Sequence, residues 1–329
     1  MKAWQVTTHG EPASVLRLVD IPTPQPAPGQ IRVAVRAAAL NFPDVLLCRG
    51  TYQIRPELPF TPGVELCGVV DELGEGVTGL AVGDRVIGNP ALPHGSLAEF
   101  ALAEAADVLP APEALDDAQA SALHIAYQTG WFGLHRRARL QAGETLLVHA
   151  AAGGVGSAAV QLGKAAGARV VAVVGGAAKA EVARQLGADI VIDRTTDTDI
   201  VRAVKEATGG RGADVVFDPV GGDAYAASAK CVAFEGRILV VGFAGGTVPA
   251  PALNHALVKN YSIVGLHWGL YKQYAPTEIA VAHAELGKFA TSGAIAPLVG
   301  GRFSLDQAAE GLTRLGAGDS VGRLVVLLP

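Results

Sequence analysis

Leu146-Leu147-Val148-His149-Ala150-Ala151-Ala152-Gly153-Gly154-Val155-Gly156 is the stretch on which the reading of this chain turns. An apolar run of the kind that forms a buried parallel strand breaks into small residues. A helical pattern then opens at Val155 and runs through Ala158, Ala159, Leu162 and Ala166. Strand, tight turn and helix N-terminus, in that order, are what a dinucleotide phosphate site requires. Backbone N–H groups at such a helix start, together with the helix dipole, attract a pyrophosphate. Gly153 lets the backbone approach the phosphates, and Gly156 lets the helix close on the strand. Ala151 stands where the G-x-G-x-x-G pattern has its first glycine, so the motif alone also fits a small-residue turn built only for close helix–sheet packing.

The next segment favours the nucleotide. Arg169 to Val174 reads as a second apolar strand, one βαβ unit later. Sites for NAD place an acid at the end of that strand to hold the ribose 2′-hydroxyl. Here the chain runs Gly175-Gly176-Ala177-Ala178-Lys179. With no carboxylate to repel a 2′-phosphate, Lys179 one turn into the next helix and Arg194 just after the third strand (Ile190 to Ile192) point to NADPH, with NADH as the weaker alternative. Taken singly, each of these two cations also fits a solvated surface position.

Composition agrees with a globular enzyme and excludes several other classes. The 329 residues suffice for two domains with real cores. Half are hydrophobic, 17% are charged, and the net charge of −5 argues against a nucleic-acid surface. No apolar run approaches the ~20 residues of a membrane span. The N-terminus, Met1-Lys2-Ala3-Trp4-Gln5-Val6, reads as a strand and not as a signal peptide. Cys48, Cys67 and Cys231 form neither a disulfide framework nor a zinc spacing, and read as reduced, mostly buried thiols of a cytoplasmic protein.

The texture changes along the chain. Residues 1–120 alternate short strands with turns, among them Ile31 to Arg36 with a strict period of two, Gly63 to Val70, and Asp84 to Ile87, and form a mostly β domain. Residues 121–260 alternate strands and helices, the pattern of a doubly wound parallel sheet, with Val215 to Asp218, Arg237 to Val241 and Ser262 to Gly265 as strands four to six. Helices over Glu278 to Ser292 and Leu305 to Leu315 follow. The closing strand, Arg323 to Leu328, rejoins the first domain because the six-stranded sheet is already complete. The expected domains are therefore 1–120 with 261–329, and 121–260.

Ala150 to Gly156, Phe60-Thr61-Pro62-Gly63-Val64-Glu65 and Gly83-Asp84-Arg85-Val86 resemble the medium-chain dehydrogenase/reductase superfamily. Within it they resemble the zinc-free quinone oxidoreductases, the zeta-crystallin group, and the resemblance spans essentially the whole chain. It implies a Rossmann domain inserted in a GroES-like, mostly β catalytic domain, and a homodimer. The zinc enzymes of the superfamily bind catalytic metal through a cysteine, a Gly-His-Glu histidine and a further cysteine or acid. Here Val64 takes the histidine position, Asn41-Phe42-Pro43-Asp44 occupies the early cysteine position, and the four-cysteine lobe is absent. The eight histidines have no paired spacing either, so no metal is expected.

The resemblance also carries site residues. Asn41 would lie near the nicotinamide and the acceptor, with Asp44 and Tyr52 close by. Asn offers an amide donor, and Tyr a phenol donor with an aromatic face. The same residues also read as a helix start at Asn41-Phe42-Pro43-Asp44 and a loop aromatic at Tyr52. Thr129 matches a threonine facing the nicotinamide, and Phe132 sits where an aromatic is common. Gly153, Gly154 and Val155 would meet the pyrophosphate, and Lys179 the 2′-phosphate. The chain departs from the pattern at Gly175 and Gly176 for a serine pair, Arg194 for a tyrosine, Pro219 for a serine and Gly318 for an arginine. In open α/β sheets ligands bind beyond the carboxyl ends of strands. That rule adds Phe243, Ala244, Leu266 and Trp268, with Trp268 and Tyr271 either walling the acceptor or sealing an interface.

These readings converge on an NADPH-dependent, zinc-free quinone reductase. A quinone or activated enone accepts hydride without a Lewis acid, given a hydrogen bond to its oxygen. The nearest rival is an alkenal, enone or enoyl-thioester reductase with Tyr52 as proton donor, though no basic cluster for CoA phosphates is evident. A non-catalytic, crystallin-like or RNA-binding role is the alternative from another class, and it rests on fold analogy alone.

Overall fold

Alternation and its absence sort the strands of this protein into two kinds. In the segment Gln30–Ala39, Ile31, Val33 and Val35 are buried while Arg32, Ala34 and Arg36 are half-buried or exposed, as a sheet with one covered face demands. The segments Thr145–His149 and Ala213–Asp218 are instead buried along their whole length, as central parallel strands covered on both faces must be.

The computed structural model describes residues 1–329. Its strands are β1 (Lys2–Val6), β2 (Leu16–Asp20), β3 (Gln30–Ala39), β4 (Leu66–Leu73), β5 (Arg85–Gly88), β6 (Phe100–Glu104), β7 (Val108–Pro110), β8 (Thr145–His149), β9 (Arg169–Val174), β10 (Ile190–Asp193), β11 (Ala213–Asp218), β12 (Val232–Val240), β13 (Ser262–Gly265), β14 (Val299–Ser304) and β15 (Arg323–Leu327). The chain forms two units, Met1–Ile125 with Ala296–Pro329, and Ala126–Ile295.

In the first unit, β1 pairs with β2, and a second sheet runs β14-β15-β3-β4-β5-β7 with β6 also on β3. The last strand therefore does rejoin the first unit. It lies antiparallel to β3, with Val325 opposite Ala39 and Leu327 opposite Ala37. Continued by two places, that register sets Arg323 opposite Asn41, and Leu40 N–H donates to the Leu324 carbonyl at 2.8 Å. Phe60, Leu66, Leu97 and Leu324 lie in the core of this unit.

In the second unit, six parallel strands take the order β10-β9-β8-β11-β12-β13. This is the doubly wound Rossmann order, and its topological switch falls between β8 and β11. Helices Gly154–Ala165, Ala177–Gln185, Ile200–Ala207 and Gly222–Cys231 connect the strands.

The second boundary differs from the expected 260/261. Residues 261–295 belong with the parallel sheet because β13 pairs with β12, and because Glu285 of the helix Pro276–Thr291 accepts the Trp131 indole N–H at 2.6 Å. The fifth strand also begins earlier than expected. Glu235, at φ +57°, marks an irregularity where the pairing of β12 with β11 shifts register. All three cysteines are buried and unbridged. No helix is long and apolar enough to cross a membrane.

The turn before β4 has no room for a side chain. Gly63 adopts φ +103°, and a Cβ there would lie 2.4 Å from Ser96 Oγ and 2.7 Å from the Leu97 nitrogen. Gly63→Ala is expected to destabilise the protein by roughly 2–4 kcal/mol through strain and overpacking. Urea unfolding checks this, and an unchanged midpoint would refute the account of the turn.

Candidate functional site

Four polar side chains are buried together in the first unit. Asn41, Asp44, Glu65 and Arg323 are each at most 5% exposed. Asn41 caps the helix Phe42–Arg49, whose second position is Pro43, so the helix-start reading of this segment describes its backbone. Asp44 closes the cap. Its Oδ2 accepts the Asn41 backbone N–H at 2.8 Å, and its Oδ1 accepts the Gly63 N–H at 3.0 Å.

Glu65 is the centre of the group. Its Oε2 accepts from the Asn41 amide at 2.9 Å and forms a short ion pair with Arg323, and its Oε1 accepts the Ile125 backbone N–H at 2.6 Å. Arg323 Nη1 donates to Asn41 Oδ1 at 2.9 Å, and Asn41 Nδ2 also donates to the Ala39 carbonyl at 3.0 Å. Both amide hydrogens of Asn41 are thus taken within the chain. This runs against the expectation that Asn41 offers an amide hydrogen to an acceptor. Sequence reasoning gave no role to Glu65 or Arg323. The available signals were an acid inside the Phe60–Glu65 motif and a lone cation opening an otherwise apolar strand.

Burial governs the ionisation of this cluster. It pushes the Asp44 carboxyl up to about 7, against the opposing pull of its two N–H donors and of Arg323. Burial also raises Glu65, while Arg323 and the Asn41 amide hold it down. Tyr52 is half-buried, makes no hydrogen bond within the chain, and has its pKa raised by burial and by the nearby Asp44. A phenol in that setting stays protonated and keeps its hydrogen available to donate.

These residues do not make a zinc site. Val64, at the expected histidine position, carries no donor atom, and the Asn41 amide is spent on Glu65, Arg323 and Ala39. No three His, Cys, Asp or Glu side chains converge as a metal ion would require.

In the second unit the turn that follows β8 is built by close approach. Ala150, just past β8, takes the left-handed conformation at φ +49°, and Gly153 N–H donates to the Ala150 carbonyl at 2.8 Å. A Cβ on Gly156 would lie 2.1 Å from that carbonyl oxygen, so only glycine lets the helix start there. Gly153 is the N-cap of helix Gly154–Ala165 and supplies no capping side chain. The first-turn N–H groups, on Gly154 and Val155 among others, therefore suit an anion.

At the end of β9, Gly176 N–H donates to Asp193 Oδ1 at 2.8 Å, and the Arg194 guanidinium lies against Gly175. Lys179 sits in the first turn of helix Ala177–Gln185. No acid ends β9, so the residues present fit a 2′-phosphorylated nucleotide.

The remaining expected contacts are mixed. Thr129 keeps 7% of its surface exposed. Phe132 has none, and its ring centroid lies 4.1 Å from that of Tyr271 and 5.0 Å from that of Trp131. Phe132 therefore packs on all sides against protein, with Trp131 and Tyr271 among its ring neighbours. Tyr271, also under the Arg136 guanidinium at 5.8 Å, is a packing residue here. Trp268 is nearly buried, its indole N–H donating to Gln128 Oε1 at 3.2 Å. Leu266 is half-buried, and its N–H donates to the Val240 carbonyl at 3.0 Å. Phe243 is 39% exposed, and Ala244 N–H donates to the Pro219 carbonyl at 3.0 Å.

The ionisation of Asp44 predicts a pH dependence of stability. Its folded value of about 7 lies above the ordinary 3.8, so the native state binds more protons between those limits. The favourable contribution is complete below about pH 4 and is lost as pH rises through about 7. Asp44→Asn should remove this decline from unfolding free energies measured between pH 4.5 and 7.5 (about the titration window). Parallel wild-type and variant profiles would show Asp44 ionised throughout.

Comparison with known proteins places these features in one family. Residues 154–283 match the zinc-binding dehydrogenase family and residues 27–113 the alcohol dehydrogenase GroES-like domain. A quinone oxidoreductase-like protein 2 homolog of Nematostella vectensis is 39% identical over 302 residues, covering 90% of this chain and 81% of the relative. The Escherichia coli quinone oxidoreductase complexed with NADPH superposes with a TM-score of 0.92 at 30% identity, and a mycobacterial protein complexed with NADPH with 0.92 at 33%, each over the full length of both chains. With a GroES-like unit, a Rossmann unit and relatives of this kind, the chain belongs to the quinone oxidoreductase group of the medium-chain dehydrogenase/reductase superfamily.

Proposed function

We propose that this protein is an NADPH:quinone oxidoreductase that works without a metal ion. The observation that carries the reading is the closed Asn41–Glu65–Arg323 network. It spends the Asn41 side chain, which lies in the segment that replaces the early cysteine of the zinc dehydrogenases, on hydrogen bonds to Glu65 and Arg323, and Val64 at the histidine position carries no donor atom. A substrate handled here has to be electrophilic by itself, as a quinone is. NADPH is favoured by the missing acid after β9, by Lys179 and Arg194, and by the NADPH complexes of two relatives.

A bound reduced nicotinamide supplies the hydride. The first-turn N–H groups of helix Gly154–Ala165 hold the pyrophosphate. The Tyr52 hydroxyl, unpartnered within the chain, donates to the quinone oxygen as negative charge develops there. Burial, with a smaller contribution from Asp44, raises the Tyr52 pKa, which keeps that hydrogen on the phenol. NADPH, a quinone and one proton give NADP⁺ and the hydroquinone. The proton reaches the reduced oxygen through Tyr52, which is then reprotonated from water.

The protein works as a homodimer. β13 ends the parallel sheet and pairs on one side only, so its outer N–H and C=O groups are open to another strand. Phe234, Leu253, Leu257 and Val258 beside it are each more than two-thirds exposed. A second copy related by a twofold axis covers such an edge with its own equivalent.

NADPH oxidation followed at the nicotinamide absorbance, with 1,4-benzoquinone, 9,10-phenanthrenequinone, a 2-alkenal and crotonyl-CoA as acceptors, tests the catalytic reading. Turnover is expected with the quinones, unchanged after exhaustive chelation and lowered about tenfold to a thousandfold in Tyr52→Phe. Preference for the alkenal or thioester would move the chain to the enone reductases. Zinc-restorable loss on chelation would overturn the metal-free mechanism, and silence with every acceptor would favour a binding role. Light scattering should give a dimer that Leu257→Glu dissociates, and a monomeric wild-type protein would refute the assembly.

A further inference from the structure

Helix His124–Trp131 buries one polar side chain that packing does not account for. Gln128 has no exposed surface, and Tyr127, Thr129, Trp131 and Phe132 around it in sequence are buried as well. Its Oε1 accepts the Trp268 indole N–H at 3.2 Å, whereas its Nε2, equally enclosed, has no hydrogen-bond partner. A glutamine amide brings an acceptor oxygen and two donor hydrogens, so the acceptor here is used and the donors are unanswered. A buried donor without a partner lowers stability, and an apolar side chain of similar volume would avoid that loss. The fold gains little from the amide, so its bond to Trp268 is what distinguishes this residue.

Both ends of that bond are held in place by the parallel-sheet unit. A Cβ on Gly130 would lie 2.6 Å from Leu162 Cδ1, and one on Gly133 2.7 Å from Leu239 Cδ2 and 3.2 Å from Leu266 Cδ2, so the chain around Gln128 closes tightly on its neighbours. Past Trp131 the helix widens into a π-helical turn over Phe132–Arg137, with Ala138 N–H donating to the Gly133 carbonyl at 2.8 Å. Such turns occur often at functional sites. Leu266, two residues before Trp268, donates its N–H to the Val240 carbonyl at 3.0 Å, so the loop leaves the sheet from a fixed point. It leaves at the carboxyl ends of β12 and β13, the end of an open sheet at which ligands bind. Trp268 keeps 9% of its surface exposed there.

We propose that Gln128 is a positioning residue for the acceptor: it holds the Trp268 indole by its N–H, so that the ring stands as a fixed aromatic wall for a planar quinone. The proposal rests on the quinone reading above. Gln128 itself touches neither cofactor nor acceptor and acts only through Trp268. An indole is a broad apolar surface for a flat ring, and anchoring it beforehand removes the ordering cost that a mobile side chain would add to binding.

Steady-state kinetics of the intact protein with 9,10-phenanthrenequinone and NADPH, run beside urea unfolding, test this. Gln128→Leu should raise the quinone KM about threefold to tenfold while kcat and the NADPH KM change less than about twofold. Its urea midpoint should stay close to that of the wild type, because the unanswered amide is lost together with the bond. Gln128→Glu keeps an acceptor oxygen for the indole, as Glu285 does for Trp131, and should hold the quinone KM of the wild type. Trp268→Phe should raise the quinone KM, and adding Gln128→Leu to it should raise it no further. An unchanged quinone KM in Gln128→Leu, an equal rise for NADPH, a rise in Gln128→Glu as large as in Gln128→Leu, or a further rise in the double variant would overturn the proposal while leaving the quinone reading standing. A wild type that turns over no quinone would remove both.

Discussion

The buried carboxylate of Glu65 is the constraint around which the candidate site is organised. An anion with no exposed surface is stable only if its oxygens are answered, and here a guanidinium, a side-chain amide and a backbone N–H answer them. Those partners come from β15, from the start of the helix Phe42–Arg49 and from the segment that leaves the first unit. The carboxylate therefore ties three distant stretches of chain to one point. Removing one partner of such a pair typically costs about 3–5 kcal/mol, because a charge is left buried and unanswered. Closing the network also commits both amide hydrogens of Asn41, which is why the proposed mechanism gives the hydrogen bond to an acceptor to Tyr52.

In the parallel-sheet unit the controlling factor is the absence of side chains. Gly156 lets the first helix begin within van der Waals reach of the Ala150 carbonyl, and Gly175 leaves the space that Arg194 fills. Both arrangements place groups that suit negative charge, first-turn N–H groups in one case and a guanidinium in the other, at the carboxyl end of the sheet. Asp193 has a complementary part. The Gly176 and Thr195 N–H groups and the Thr195 hydroxyl hold its carboxyl well below the usual range, so it stays a fixed anion engaged with the backbone of its own turn.

Much of this architecture is legible along the chain because it depends on local pattern. The period-two burial at Ile31, Val33 and Val35, the continuous apolar runs of β8 and β11, and the small-residue turn between Ala150 and Gly156 each reflect neighbours in sequence. The domain boundary near 260 was misplaced because β13 is four residues long and its pairing with β12 cannot be seen in its own composition. Phe132 and Tyr271 illustrate a second limit. An aromatic beside a site reads the same whether its face is open or stacked, and the 4.1 Å contact between their rings is a tertiary fact.

The sequence by itself determined the GroES-like and Rossmann units and the glycine turn that opens the first helix of the parallel sheet, since these follow from periodicity and from turn chemistry. Only the tertiary structure decided that Arg323 reaches Glu65, 258 residues away, that Asn41 has no hydrogen left to give, and that Arg194 lies on Gly175. The physical reason is that strand register and the space beside a missing side chain are properties of pairs of segments, and no single segment encodes them.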